Sequence, residues 1–555
     1  MTAAHRGEEL LEGRRALERA EWAAARATFE SALAAGDCAD AHDGLGQALW
    51  MLGEVDEAIA RRGHAFDGLV AEGRCDDAAR VAVWVAHQHL LGGRASASRG
   101  WLARAERALD GVGSCAGHGW VAAERARQEG DVREQVVHAR RAMEIGRRVG
   151  DGDLEVFALS ILGRAVVLAG RREDGLTLLE EAMAAAASGA MRTVHTLAEA
   201  YCNLLFACTG AGEWERANEW YEVVAEFAVS HGTLPLLAAC RTDHANVLLA
   251  TGRWVAAEDE LESAMRTGVA HARQLPELGV PTQATMAELR VRQGRLLDAA
   301  RLLSGREEHP ESLRALALLR IAEGRPQVAA GLLSRGLRSA GEQAVRASQL
   351  LAPLVDALLQ AGDLAGAGAA AAELEELAAT TSIRLIGARA ALARARVARA
   401  LGRGDEAADA AGRALSGFSA LAMPFESAEA RLELARSSAV AAPDLALEEA
   451  RSAFETFRDL GAARAMDAAA GVLRDLGAPG TTPRARVAGE LTRREQEVLD
   501  LLALGMTNAQ VAERLVISEK TAGHHVSRIL MKLGVRNRAE AAAYAARAGV
   551  AGAAG

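Results

Sequence analysis

Lysine is nearly absent. Of the 64 Lys and Arg residues in this 555-residue chain only Lys520 and Lys532 are lysines, and both stand near the C-terminus. A Walker loop ends in Gly-Lys-Ser or Gly-Lys-Thr because an ammonium must reach the nucleotide phosphates, so no residue before 520 can complete one. Other reactive signatures are missing too: there is no Gly-x-Ser-x-Gly elbow, no His-Glu-x-x-His helix and no Gly-x-Gly-x-x-Gly between a strand and a helix. Nucleophile, base and oxyanion donors cannot be assembled, so we expect neither an enzyme nor a bound cofactor. Cys38, Cys75, Cys115, Cys202, Cys208 and Cys240 lie scattered without a Cys-x-x-Cys pair and read as reduced thiols. The one local grouping of ligand types, His87-Gln88-His89 beside Cys75, reads as ordinary helix surface, and no metal is expected. Aromatics are scarce, at 4%, and no segment alternates as a half-buried strand would. Charges interrupt every apolar run before it could cross a bilayer or serve as a signal, so the expectation is an all-α, cytoplasmic protein that does not enter membranes.

What the chain does contain is a repeat. A small residue is followed two positions on by an apolar one and five positions on by another small one: Gly53-Glu-Val55 with Ala58, Gly130-Asp-Val132, Gly212-Glu-Trp214 with Ala217, Gly252-Arg-Trp254 with Ala257, Gly294-Arg-Leu296 with Ala299, Gly362-Asp-Leu364 with Ala367, and Gly402 with Ala407. Weaker copies begin at Ala20, Gly93, Gly170 and Gly324. Successive slots lie about 40 residues apart, the period of a stack of helix pairs. Glycine permits a tight turn between antiparallel helices, the apolar residue seals it, and the alanine lets the helices cross closely. Abundant alanine, the strongest helix former, agrees. The pattern resembles the tetratricopeptide repeat with a longer period, and predicts an α-solenoid of about eleven pairs over residues 1–476. Trp22, Trp214, Trp220 and Trp254 stand at or near the hinges and read as packing, not as a ligand groove.

The two lysines belong to a different kind of segment. Thr492 precedes Glu495 by three and can cap a helix carrying Val498, Leu499 and Leu502 as far as Gly505. Thr507 and Gln510 repeat the box ahead of Val511, Ala512 and Leu515; Ser518 caps a third helix running to Gly534; Asn537 and Glu540 open a fourth. On helix three, Ala522, Val526, Ile529 and Leu533 share the inward face, leaving Gly523, His524, Ser527 and Arg528 outside, with Lys520 near the start and Lys532, Arg536 and Arg538 near the end. Residues 484–550 carry 11 basic and 7 acidic side chains, a net of +4, whereas the whole chain carries −10. A basic patch on one small domain beside an acidic body suits a polyanionic partner. Residues 477–490, GAPGTTPRARVAGE, read as a flexible linker.

With those residues in place, LTRREQEVLDLLALGMTNAQVAERLVISEKTAGHHVSRILMKLGVRNRAEA resembles the LuxR-type helix-turn-helix along its full length. Val511-Ala512 stands for the family's Ile-Ala pair, Ala522 replaces a valine, and Gly523 takes a position where lysine is common. The resemblance implies a four-helix DNA-binding domain over residues 491–550 whose third helix, capped by Ser518, enters the major groove. His524 and Ser527 then lie nearest base edges, with Gly523 beside them carrying no side chain of its own. Lys520, Thr521, His525, Arg528 and Lys532 reach phosphates, and the backbone amides around Thr507 and Asn508 hold another. It also implies double-stranded promoter DNA as partner, a homodimer formed through this domain with helix four at or near the interface, and a bacterial regulator; arginine in place of lysine, with much alanine and glycine, suits a GC-rich bacterial genome. The ATPase domain of the large LuxR regulators is excluded with the Walker lysine, and a receiver domain also needs a lysine. The repeat array is then the module that senses a protein or small-molecule effector, or holds the basic domain back. The competing reading is an assembly scaffold with secondary DNA binding.

Overall fold

Local turn chemistry builds the larger part of the molecule. The computed structural model describes residues 3–187, 193–232, 234–269, 276–478, 493–515, 517–533, 537–538, 540–542 and 545. The chain divides into two units, Met1–Ala478 and Pro479–Gly555. Among the described residues every regular element is a helix, and none is long and apolar enough to cross a membrane. Most of the proposed linker, residues 479–490, lies outside the described residues.

Gly252 shows how a hinge works. It ends the helix before it at φ +80°, a left-handed conformation that costs an L-residue dearly. The next amide, Arg253 N, then reaches back to Leu248 O at 2.7 Å and satisfies a carbonyl that the helix end would leave bare. The same bond recurs from Glu54 to Leu49, Glu213 to Cys208, Arg295 to Arg290 and Arg403 to Ala398, all at 2.8–2.9 Å. Five residues after each glycine the alanine is shut away: Ala58, Ala257, Ala299, Ala367 and Ala407 have no exposed surface. The apolar seal holds at Val55, Val132 and Trp254, but Leu364 is 41% exposed. Gly130 builds its turn differently, with Glu129 extended and Asp131 capping the next helix by accepting from Arg133 N at 2.7 Å.

Among the described residues twelve helix pairs result, from Ala3–Glu18 with Trp22–Ala34 to Pro424–Ser438 with Pro443–Leu460, and Ala463–Asp475 closes the series. The eleven slots mark eleven of them. The twelfth turns at residues 439–442 with no glycine, and Pro443 starts its second helix with φ already set. The first helix of a pair lies inside and is buried on nearly every side, as Gly152–Leu168 is from Leu154 onward apart from Glu155 and Arg164. The second lies outside and buries one stripe, such as Ala446, Ala450, Ala453 and Phe457. Leu296–Leu303 has only eight residues, and beside it lies a cavity of about 530 Å³ between Met265, Met286, Gln283 and Arg306.

The stack coils until its turns touch. Trp22 Nε1 donates to His231 O at 2.7 Å, Gln343 Nε2 to Gly130 O at 3.4 Å, and Ser382 N to Gly170 O at 3.1 Å. Partners 209 to 213 residues apart correspond to roughly five repeats per superhelical turn. Trp254 is 3% exposed and donates to Leu249 O at 3.1 Å, so it and Trp22 pack hinges. Along the inner layer, polar side chains meet at repeat spacing: Asn203 with Ser160 at 3.0 Å, Thr242 with Thr282 at 2.7 Å, Arg389 with Ser348 at 3.0 Å, and Arg396 with Asp356 at 2.6 Å.

Two glycine replacements separate the contributions to a hinge. Gly402→Ala meets nothing within 4 Å and is expected to cost only the left-handed backbone, about 1–2 kcal/mol. Gly252→Ala adds a Cβ 2.5 Å from Pro424 Cγ on the next superhelical turn and is expected to cost more. Urea unfolding of both full-length variants checks the order; equal losses would show that the inter-turn contact contributes nothing.

Candidate functional site

The second unit is assembled from caps outward. Helix Arg493–Ala503 ends at Gly505, where φ is +81° and Met506 N returns to Leu501 O at 3.2 Å. Thr507 and Gln510 form a reciprocal box at the start of Asn508–Leu515: Thr507 N donates to Gln510 Oε1 at 2.8 Å and Gln510 N to Thr507 Oγ1 at 3.3 Å. Ser518 Oγ accepts from Thr521 N at 3.1 Å and opens Glu519–Leu533. Asn537 Oδ1 accepts from Glu540 N at 3.0 Å. Thr492, Gly534 and Arg536 lie outside the described residues.

These caps hold the helices around one small core of Val498, Leu499, Leu502, Val511, Ala512, Ala522, Val526, Ile529 and Ala541. With Ala522, Val526 and Ile529 turned inward, Thr521, His524 and Ser527 stand exposed on helix Glu519–Leu533, while Gly523 and His525 are half-buried. Ser527 Oγ donates to its own helix at Gly523 O, 3.1 Å away, which leaves the hydroxyl's lone pairs facing solvent. A Cβ on Gly523 would stand 3.6 Å from Asn508 Nδ2, so the start of helix Asn508–Leu515 adjoins this face. Thr507, Asn508, Gly523, His524 and Ser527 thus share one surface, and the free amides of a helix N-terminus sit beside it. The side chains of Lys520, Arg528 and Lys532 lie outside the described residues. Arg538 departs from the basic face read in the sequence: its guanidinium donates to Met506 O and ties the start of the fourth segment to the turn between helices one and two.

Residues 489–545 match the family described as bacterial regulatory proteins, luxR family. The spore germination protein GerE of Bacillus subtilis is 47% identical over 51 residues, which are 9% of this chain and 69% of that protein. The chain belongs to the luxR family. The transcriptional regulatory protein LnrK of Bacillus subtilis is 51% identical over 61 residues, 11% of this chain, and the match spans 28% of that protein's length. Among solved structures, a chain of the APC/C hetero-tetramer Cut9–Hcn1 aligns with 84% of this chain and 96% of itself at a TM-score of 0.42 and 14% identity.

In the array of this luxR-family chain, the structure corrects the reading of His87 as helix surface. His87 is 3% exposed, and Cys75, twelve residues earlier on the same helix, is about 18 Å away along the axis. Its neighbours come from elsewhere: His195 and Glu199, one turn apart on Val194–Ala211, bring their ligand atoms and that of His87 within 4.8 Å of one another. His87 Nε2 lies 3.2 Å from Glu199 Oε1, and His195 Nε2 lies 3.9 Å from it. Arg127 decides what this group can hold. It donates to Glu199 Oε2 at 3.1 Å, lies 3.4 Å from His87 Nε2, and stacks over Phe157 at 5.2 Å and Trp84 at 6.0 Å. A divalent cation there would face a fixed positive charge, and among the described residues His87 Nδ1 has no hydrogen-bond partner, whereas a metal-bound imidazole needs its second nitrogen anchored. The donor set does not fit a metal. It is a buried polar network in which burial holds the His195 imidazole neutral, its pKa pulled down to about 3. The spacing of His195 and Glu199 was visible in the sequence; their approach to His87 was not.

Two outcomes follow from these sites. Gly523→Ala places a Cβ at ordinary contact distance from Asn508 Nδ2 and is expected to raise the stability of the second unit by up to about 1 kcal/mol, read by thermal unfolding of residues 484–555. Asp243, on the inner helix Leu234–Ala250, has its carboxyl pushed up to about 7 by burial. Its folded pKa therefore lies above the unfolded value, and ionising it costs stability progressively as pH rises from about 4 to about 7. Asp243→Asn should raise the melting temperature of the full chain more at about pH 8 than at about pH 5; an equal rise at both would show that Asp243 ionises freely.

Proposed function

We propose that this protein is a sequence-specific transcriptional regulator whose C-terminal unit binds double-stranded promoter DNA. The observation that carries the reading is the face of helix Glu519–Leu533, where exposed Thr521, His524 and Ser527 stand beside the amino end of helix Asn508–Leu515 on a segment with net positive charge. His524 and Ser527 contact base edges in the major groove. Lys520, Thr521, His525, Arg528 and Lys532 contact phosphates, with the amides at Thr507 and Asn508 gripping one more. Gly523 leaves the groove approach open. The unit acts as a dimer, and the array over residues 1–476, joined through 477–490, receives an effector or partner and holds the basic unit back until it does.

Selection of genomic fragments with the full chain, with residues 484–555, and with a His524→Ala, Ser527→Ala variant tests each element. We expect a motif of two half-sites about one helical turn apart. The double variant should lose about 1–3 kcal/mol per base contact, roughly tenfold or more in affinity, with the motif erased. Enrichment stronger with residues 484–555 than with the full chain supports the restraining array. No motif from either protein would leave an assembly scaffold as the better account.

A further inference from the structure

The cavity of about 530 Å³ beside helix Leu296–Leu303 has the size of pockets that hold small molecules, about 300–1,000 Å³. Its walls are of two kinds. Met265, on outer helix Trp254–Val269, and Leu302, on the next outer helix, are half-buried and present apolar surface, with Met286 of inner helix Val280–Arg292 between them in sequence. An unbranched thioether side chain adapts to whatever packs against it. Most of the remaining wall is arginine: Arg290, Arg295, Arg301 and Arg306 all line it.

Charge around this cavity does not balance. Arg290 and Arg295 approach the same oxygen, Glu258 Oε1, at 2.7 and 3.9 Å, while Arg295 and Arg301 grip the two oxygens of Asp298 at 2.7 and 3.3 Å. Three guanidiniums thus share two carboxylates. Glu262, the other acid on the wall, pairs with Arg266 at 3.8 Å. Arg306 is half-buried and adds a charge with no partner: among the described residues its guanidinium has neither an ion pair nor a hydrogen bond. The acids next to it are engaged elsewhere, Glu307 with the amides of its own turn and Glu308 with Arg335 at 3.4 Å. Five arginines against three carboxylates leave an excess of two positive charges. A lone arginine on an open surface needs no partner but water, whereas several converging on a concave and partly apolar wall raise the potential inside it.

An excess of two is the charge that one phosphate monoester cancels, since its phosphoryl group carries about −1.5 to −2 at neutral pH. A carboxylate would cancel half of it. The planar guanidinium fork also matches phosphate oxygens in pairs, and the apolar walls suit an organic body that inorganic phosphate lacks. We infer that this cavity binds a phosphate monoester with an apolar or aromatic body, its phosphoryl group held by Arg306 together with Arg295 and Arg301 and its body packed on Met265 and Leu302. Such a ligand supplies a chemical class for the effector of the proposed regulator and rests on that proposal for its regulatory meaning, though the binding itself does not depend on DNA.

Calorimetry and thermal shift on the full chain decide it, with naphthyl phosphate and adenosine monophosphate as ester probes and naphthoate, naphthol and inorganic phosphate as comparisons. At least one ester is expected to bind and to raise the melting temperature, with each comparison bound more weakly by about tenfold or more, because a charge-assisted contact or the apolar packing is missing from it. Arg306→Gln removes an unpaired charge and should weaken ester binding by about tenfold or more. Ser304→Glu, at an exposed position on the wall, supplies countercharge from the protein itself and should weaken it in the same direction. Arg338→Gln, exposed and outside the cavity, should leave it unchanged. Circular dichroism verifies folding, and Ser304→Glu decides the matter should Arg306→Gln misfold. Absence of binding by both esters, ester binding that a folded Arg306→Gln leaves intact, or equal binding by naphthoate, naphthol or inorganic phosphate would overturn the inference. Fragment selection is read separately, so loss of DNA binding and loss of ester binding are distinguishable failures.

Discussion

Close crossing of paired helices constrains everything else in the first unit. An alanine with no exposed surface at Ala58, Ala257, Ala299, Ala367 and Ala407 sets how near the two helix axes come. The left-handed glycine before it lets the chain reverse while keeping its terminal carbonyls bonded. Since each pair buries its apolar surface only on its neighbours, a small and regular offset between pairs propagates along the stack. Its sum is the coil in which Trp22 meets His231 and Gly170 meets Ser382. A bulky residue at one slot would therefore alter more than one crossing: Gly252 touches Pro424, so a change at a hinge is also a change between superhelical turns.

Coiling explains the polar inner wall. Inner helices are packed by neighbours on either side and by outer helices behind, which leaves one narrow face toward the axis. Side chains there are part-exposed yet surrounded by protein, a setting in which charges need partners and mostly have them. The ladder from Ser160 to Asn203 and from Asp356 to Arg396 stitches successive repeats together. Burying such pairs adds little net stability against an apolar wall of the same shape, so packing alone does not account for them. Among the described residues Arg389 bonds to Ser348 and forms no ion pair, and burial disfavours ionisation of Asp243.

Legibility in the sequence followed the range of the interactions. Capping boxes are local, so Thr507 with Gln510 and Ser518 with Thr521 could be read residue by residue and are bonded as their spacing implies. Glycine slots are local as well, and eleven hinges followed from them. The pair that turns at residues 439–442 left no such mark, because its chain reversal uses residues with no special backbone preference apart from Pro443. Contacts across a superhelical turn were invisible for a different reason. His87 reaches Glu199 over 112 residues and Trp22 reaches His231 over 209, and no periodicity of helix or repeat specifies which distant residues the coil brings together. On the second unit the exposed face of helix Glu519–Leu533 was legible, since an inward stripe of Ala522, Val526 and Ile529 leaves only one other side. The role of Arg538 was not legible, because a surface arginine and one that grips the Met506 carbonyl look alike in sequence.

The two units carry charge of opposite sign. With +4 on residues 484–550 and −10 on the whole chain, the remainder carries the acidic excess. At physiological ionic strength a charge is screened within about 8 Å, so an acidic array at a distance neither repels DNA nor neutralises the basic unit. Restraint by the array therefore requires contact, and contact has a consequence that screening alone does not. Acidic groups lying against the basic face would release under rising salt, strengthening access to DNA, while the phosphate contacts themselves weaken over the same range. The full chain and the isolated unit would then differ in the slope of affinity against salt as well as in affinity, with the shallower slope on the full chain. An array that merely excludes DNA by volume would lower affinity and leave the slope unchanged, so the slope separates an electrostatic clamp from steric cover.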